Sequence, residues 1–225
     1  MRYTEYPDYL YDDNFFNDAP YLWNKDTLYR GTLLNLLMTL TGKESTTFDE
    51  YSVWEAETGE EMVLPYLDAD GTEPSDVEVI FDEGKQELVK ENISDNILRV
   101  TEKYPEVRFD IIYTPGSIAK WYRYNRRSEV KYRLEAGEYA TKLLLDGENV
   151  HVYDFMCEYE KICDLDNYHD TIHYTTDMNS YFLNRMAKGE NELKPEMLEA
   201  YFNDLQQFYC NYDYAGLKEK ANDGQ

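Results

Sequence analysis

The chain has 225 residues, which is enough for one sizeable domain with a buried core. It carries 46 Asp and Glu against 22 Lys and Arg, a formal charge of -24, so its field repels nucleic-acid phosphates and anionic lipids. No apolar run reaches the ~18 residues of a membrane span. We therefore expect no nucleic-acid partner and no direct insertion into a membrane.

The first 80 residues are predicted to form an irregular, aromatic and acidic region. We interpret Met1 to Asp26, with its prolines and many Asp and Asn residues, as an ordered loop anchored by aromatic side chains. Asp26 is predicted to cap a helix from Thr27 to Thr41 that Gly42 ends. The predicted buried face of this helix consists of leucines: Leu28, Leu33, Leu34, Leu36, Leu37 and Leu40.

From Lys43 to Ser75 glycines and prolines interrupt the pattern, with Trp54 as an expected anchor. Short strands and a flexible excursion both fit this stretch. The sequence DADG from Asp68 to Gly71 raises the alternative of a calcium loop. Its glycine position and the absence of a glutamate at the twelfth position do not match the EF-hand pattern, so we interpret it as an exposed turn.

Residues 81–210 are predicted to contain a βαβ core. The expected elements are a helix from Phe81 to Tyr104, a strand from Arg108 to Thr114, a long helix from Ser117 to about Leu145, a strand from Val150 to Phe155, helices from Thr176 to Lys188 and from Pro195 to Tyr209, and a frayed tail, KEKANDGQ. Strand, helix and strand in this order require a parallel pair and a right-handed crossover.

The carboxyl ends of these two strands are the expected place for a site. In open parallel sheets, functional groups gather beyond the carboxyl ends of the strands. Both the turn from Thr114 to Ser117 and the segment leading to Asp170 and His173 follow a predicted strand. We therefore expect these two segments to lie at the same edge of the sheet.

Asp170 and His173 are the candidate catalytic residues. In the D-x-x-H spacing one helical turn would put both side chains on one face, so that the carboxylate holds the imidazole in one tautomer and stabilises its protonated form. His169 and His173 raise the alternative of a zinc site, because HDTIH has the spacing of H-E-x-x-H. Aspartate replaces the glutamate base there and no third histidine follows, so we expect neither a metal nor a cofactor.

Cysteine and tyrosine content leave two further questions open. Cys157, Cys163 and Cys210 are too few and too scattered for a disulfide scaffold or a zinc ribbon, so free thiols are expected, with a Cys157–Cys163 bridge as the alternative outside the cytoplasm. The 23 tyrosines suit half-buried strands and domain faces, and they also suit stacking on sugar rings.

The order of strand, D-x-x-H and helix resembles the last conserved block of the SGNH (GDSL-like) hydrolases. The stretches YPDYLYDDNFFNDAPYLWNKD, FDEYSVW, RFDIIYTPGS and DNYHDTIHY are similar to a group of bacterial SGNH-like envelope proteins, distantly similar to the D-alanyl transfer protein of lipoteichoic acid synthesis. The resemblance covers Tyr6 to about Tyr209. It implies a doubly wound, flavodoxin-like parallel sheet, with Asp170 as the acid and His173 as the general base of a triad.

The nucleophile that the family requires is not found. The sequence contains no G-x-S-x-G elbow and no G-D-S, and the resemblance implies that it begins downstream of the serine block. Ser117 in TPGS is weighed as a substitute nucleophile, but a serine at this position also serves as a helix cap, which we favour. We expect residues 1–225 to form a single, incomplete SGNH-like domain, because two parallel strands leave unpaired edges.

The resulting functional hypothesis is an SGNH-like esterase or acyltransferase acting on acylated cell-envelope glycans or related esters and lacking its serine nucleophile, with an active and an inactive chain both left open. In this hypothesis the chain binds either a missing N-terminal half or a second copy of itself. A truncated, a split and a degenerate family member all fit, and the sequence does not fix the compartment. The rival hypothesis is a non-catalytic module that binds glycans or a protein partner.

Overall fold

A computed structural model describes Asn14, Phe16 and residues 26–43, 57–68 and 73–223. The chain divides into two compact units, residues 1–55 and 56–225. The predicted loop before Asp26, the Trp54 anchor and the turn after Asp68 lie outside the described residues. The prediction of a single domain stays a prediction.

In the first unit, the predicted leucine-rich helix is present. A π-helical segment, Asp26–Leu34, continues into α1, Asn35–Leu40. Gly42 ends it in a left-handed conformation with φ of 66°, and the Lys43 amide donates to the Met38 carbonyl at 2.9 Å, as in a Schellman motif. The prediction that the leucines form a buried face is wrong, since most of them are exposed, Leu40 by 75%. The leucine spacing therefore predicts the helix correctly but not the burial of its side chains.

The second unit contains the βαβ core and the surrounding helices. Its helices are α2 (Glu60–Val63), α3 (Glu83–Ile93), α4 (Arg99–Lys103), α5 (Ile118–Arg126), α6 (Val130–Leu144), α7 (Tyr159–Cys163), α8 (Thr176–Ala187), α9 (Leu198–Asn211) and α10 (Tyr214–Asp223). Its strands are β1 (Phe109–Tyr113), β2 (Val150–Asp154) and β3 (Glu192–Leu193). A π-helical segment, Ser94–Leu98, joins α3 to α4, so the predicted helix from Phe81 to Tyr104 is confirmed, with Asp82 as its cap.

Within the described ranges the strands form one sheet of order β1-β2-β3. β1 and β2 are parallel, with Ile111 opposite Val152, and β3 pairs with β2 in the antiparallel direction. The predicted parallel pair and the α/β class are therefore confirmed. Three strands do not establish a doubly wound sheet, which stays a prediction.

Buried side chains lie on both faces of β2, with Tyr153, at 2% exposure, on the face opposite to that of Val152. Because side chains alternate along a strand, Val150, Val152 and Asp154 share a face, and all three are buried. α6 contacts β2 and packs against α9, and the ring of Trp121 in α5 stacks on that of Tyr209 at a centroid distance of 3.8 Å. This aromatic packing fixes α9 over the helices that connect the two parallel strands.

The prediction of one long helix from Ser117 to Leu145 is wrong, because the helix breaks between α5 and α6. Ser128 takes a left-handed conformation with φ of 54° at the break. Ser75 forms two hydrogen bonds at this break. Its amide donates to the Arg126 carbonyl at 2.9 Å, and its carbonyl accepts from the Ser128 hydroxyl at 2.7 Å. Partners 53 residues away thus satisfy the broken helix end, which local periodicity cannot reveal.

The C-terminal tail is helical where it was predicted to fray. Leu217 and Ala221 of α10 are buried, and the Lys218 ammonium contacts the Asp68 carboxylate at 2.6 Å. Asp68 also binds the guanidinium of Arg126 at 2.7 Å. The hydrogen bond from Lys218, with its charge and that of Arg126, lowers the pKa of Asp68 despite partial burial.

None of the helices in the described part of the chain combines the length and the apolar character needed to cross a bilayer.

We expect Asp68→Asn to loosen α10. The substitution weakens two ion pairs that join α10 and α5, and the free energy of unfolding should fall by about 1 kcal/mol because the carboxylate is partly exposed. Chemical denaturation measures this change. Asp95→Asn, at an exposed helical position, removes the same charge as a control, and an equal loss in both variants would contradict the role of Asp68.

Candidate functional site

The candidate residues lie in a bend that we call the dyad loop, residues 168–174. Tyr168 and Tyr174 form an isolated antiparallel bridge at its two ends. The His169 amide donates to the His173 carbonyl at 2.8 Å and closes the bend. Tyr168 is buried and its hydroxyl donates to the Pro115 carbonyl at 3.3 Å, so the loop is anchored beside the end of β1.

Asp170 and His173 contact each other directly within this loop. The Nδ1 atom of His173 lies 2.5 Å from Oδ2 of Asp170, so the predicted hydrogen-bond contact is present. The second oxygen, Oδ1, accepts from the amides of Ile172 at 2.7 Å and of His173 at 2.8 Å. The expected helical turn is wrong, because the aspartate instead closes an Asx-type turn with the following amides.

These contacts keep Asp170 charged. Its partial burial raises the pKa, but the hydrogen bonds from the His173 amide, the His173 ring and the Ile172 amide outweigh it and lower the pKa overall. The side chain of His173 is 54% exposed and that of Asp170 34%. An exposed imidazole beside a fixed carboxylate can accept a proton at Nε2 while the carboxylate stabilises its charged form.

Ser117 lies next to the dyad loop but not in hydrogen-bond contact with the imidazole. Its side chain is fully buried, at 0% exposure. Its hydroxyl donates to the Thr171 carbonyl at 2.9 Å, and its amide donates to the same oxygen at 3.1 Å. Ser117 occupies the cap position of α5, but its side chain makes no capping hydrogen bond. Ser117 therefore lies beside the dyad loop, and its hydroxyl proton is directed at the Thr171 carbonyl.

The two segments predicted at the carboxyl ends of the strands do meet. The turn after β1 supplies Pro115 and Ser117, and the dyad loop supplies the hydroxyl of Tyr168 and the carbonyl of Thr171. The strand order places them together, as expected for a parallel pair. The contact that joins them was not predicted, because 54 residues separate Ser117 from Thr171.

His169 does not share a helical face with His173, since residues 169–172 form bends and the segment contains no helix. The Nδ1 atom of His169 lies 3.2 Å from the Glu57 carbonyl. Among the described side chains, no group of three or more His, Cys, Asp and Glu residues is arranged to hold a metal ion. The two histidines therefore lack the shared helical face that the zinc alternative requires. The three cysteines are free thiols, as expected.

A buried carboxylate that sequence reasoning missed lies at the end of β2. Asp154 has 0% exposure, and its Oδ1 accepts from the Met156 amide at 2.8 Å. Its Oδ2 and the hydroxyl of Tyr201 lack hydrogen-bond partners among the described residues. Burial raises the pKa of Asp154 to about 7, although the Met156 amide and the neighbouring Tyr201 oppose the shift. Period-two alternation after Val150 and Val152 is the signal that could have identified it.

Asn191 fixes the backbone beside this carboxylate. It has a left-handed conformation with φ of 61°, and its amide group donates to the Asp154 carbonyl at 3.2 Å and to Glu158 at 3.1 Å. Arg185 in turn donates to the Asn191 side-chain oxygen at 2.7 Å. Cys157 and Glu158 also line a pocket of about 460 Å³. The end of β2 is thus a second polar cluster, separate in sequence from the dyad loop.

A second histidine–carboxylate pair lies on the sheet itself. The Nδ1 atom of His151 is 2.6 Å from Oε1 of Glu192, and the same oxygen lies 2.5 Å from the Lys194 ammonium. Glu192 therefore shares its charge between two partners, whereas Asp170 receives its contacts from within one loop. The His151 pair is the natural control for the dyad.

Comparison of the chain with family models, with curated proteins and with solved structures gives no match. The resemblance to SGNH hydrolases therefore rests on the sequence motifs alone.

We expect Asp154 to contribute stability that is lost as the pH rises from about 4 to 7. The folded chain keeps a proton on Asp154 that the unfolded chain releases above the ordinary pKa of 3.8, so the contribution of this residue to the free energy of unfolding is largest below that pH. The contribution is on the order of 4 kcal/mol. Urea unfolding at several pH values measures it.

Asp154→Asn should remove most of this pH dependence, because the amide does not titrate. Asp146→Asn at an exposed position should leave the dependence intact. An unchanged slope in Asp154→Asn would show that other groups cause it.

Proposed function

We propose that the chain is an SGNH-type esterase or acyltransferase in which Asp170 and His173 form the proton-transfer pair. The observation that carries the proposal is the 2.5 Å contact between His173 Nδ1 and Asp170 Oδ2 beside the end of β1. The proposed substrates are acylated glycans or related esters. The proposed fold is a doubly wound domain that includes the β1-β2 pair.

In this proposal His173 is the general base. Its Nε2 atom takes the proton of an attacking hydroxyl as the oxygen adds to the ester carbonyl, and later gives that proton to the departing alkoxide. Asp170 keeps the other ring proton on Nδ1 and stabilises the imidazolium that forms between the two steps. Two backbone amides hold Asp170 in place, so the pair needs little rearrangement during the reaction.

Ser117 is not assigned as the nucleophile. Its only hydroxyl proton is donated to the Thr171 carbonyl, and the side chain is buried. His173 is therefore proposed to activate a hydroxyl that comes from water, from an acceptor or from a separate serine. The same observation favours a second candidate, a non-catalytic module that binds glycans or a protein, because such a module requires no nucleophile.

We expect His173→Ala to lower the hydrolysis of para-nitrophenyl acetate by roughly 10²- to 10⁴-fold, the range of general-base catalysis. His151→Ala is the matched control, because it removes the other carboxylate-paired imidazole and should leave turnover unchanged. Initial rates of purified full-length variants measure both. Equal turnover in the wild type and His173→Ala would contradict the enzyme and favour the binding module.

Asp170→Asn should lower turnover across the neutral range and not only in acid. The pKa of Asp170 is held below its ordinary value, so the wild-type carboxylate is charged at every pH from 5 to 9 and its removal affects the whole range. The pH profile of the initial rate measures this. Glu192→Gln is the control at the His151 pair, and a loss confined to low pH in Asp170→Asn would contradict the assigned role.

A further inference from the structure

Ser117 and the dyad loop are joined through a single peptide group. We propose that Ser117 is a positioning residue that fixes the Asp170–His173 pair through the peptide bond between Thr171 and Ile172. The catalytic meaning of this inference rests on the proposed function, whereas the contact itself does not.

Ser117 is hydrogen-bonded to the dyad loop at Thr171. Two donors of Ser117, the hydroxyl at 2.9 Å and the amide at 3.1 Å, converge on the Thr171 carbonyl oxygen. Ser117 has 0% exposure and Thr171 has 4%. Water does not replace a lost donor at such a place, and a buried carbonyl without its partners is costly. The loop is therefore held firmly against the turn after β1.

One peptide group connects Ser117 to the carboxylate of Asp170. The Thr171 carbonyl and the Ile172 amide belong to one planar trans peptide, in which C=O and N–H point in opposite directions. Ser117 binds the carbonyl, and Oδ1 of Asp170 binds the amide at 2.7 Å. Rotation of this peptide would weaken both contacts together. Ser117 thus controls the orientation of the amide that holds the Asp170 carboxylate.

The carboxylate of Asp170 in turn contacts His173. The same Oδ1 of Asp170 accepts from the His173 amide at 2.8 Å, and Oδ2 contacts the His173 ring. Fixing the carboxylate therefore fixes the plane in which it meets the imidazole. A serine hydroxyl after β1 acts on the pair without touching it.

The loop has a second anchor that does not depend on Ser117. The hydroxyl of Tyr168 donates to the Pro115 carbonyl at 3.3 Å, and Tyr168 also pairs with Tyr174. We therefore expect Ser117→Ala to fold and to keep the loop beside β1. The effect of the substitution should be local.

Amide hydrogen exchange in the full chain tests the inference without any measurement of activity. In Ser117→Ala the amides of Ile172 and His173 should exchange at least about tenfold faster than in the wild type, while amides of α9 keep their rates. Thr175→Ala is the matched control: it removes a hydroxyl that caps α8 by accepting from the Met178 amide at 3.3 Å, and it leaves the contact between Ser117 and Thr171 in place. Unchanged exchange at Ile172 and His173 in Ser117→Ala would overturn the inference.

A second measurement separates positioning from nucleophilic attack. Wild-type protein treated with an alkyl fluorophosphonate should carry no label on Ser117 in peptide mass spectrometry, and a labelled Ser117 would overturn the inference. If Ser117→Ala does not fold, Ser117→Cys keeps a weaker donor and should give an intermediate exchange rate; wild-type exchange in that variant would also overturn it. Failure of the proposed function would appear separately, as turnover that survives His173→Ala.

Discussion

The parallel pairing of β1 and β2 is the constraint on which the rest of the structure depends. With Tyr113 opposite Asp154 at the last position of both strands, the chain leaves the sheet twice at the same edge. The segment after β1 forms the turn that contains Ser117, and the segment after β2 leads through α7 to the dyad loop. The hydrogen bond from Ser117 to Thr171 connects these two segments.

Two aspartates near this edge show how environment decides the behaviour of the same side chain. Asp170 has amides and an imidazole around it, and its pKa falls. Asp154 is buried with one oxygen lacking a partner in the described part of the chain, and its pKa rises to about 7. A charged carboxylate beside an exposed imidazole suits proton transfer, whereas a buried carboxyl that is partly protonated near neutral pH makes the fold sensitive to pH.

Sequence patterns predicted the elements whose signals are local and missed the contacts that are not. The strands β1 and β2 and the helix from Phe81 to Tyr104 follow from periodicity, whereas the short strand β3 was not predicted. The approach of Asp170 to His173 follows from their spacing, although through a turn and not a helix. The break at Ser128 depends on Ser75, and the helical tail depends on Lys218 and Asp68. These partners are distant in the chain, so no local pattern contains them.

We propose that Asp170 holds His173 in the tautomer with its proton on Nδ1, so that Nε2 is the atom that accepts a proton. The most direct test is the nitrogen-15 NMR spectrum of the imidazoles of the full chain, which has three histidines, with His173 assigned by substitution. We predict that neutral His173 carries its proton on Nδ1 in the wild type and that this tautomer is no longer preferred in Asp170→Asn. A neutral ring protonated on Nε2 in the wild type would contradict the account.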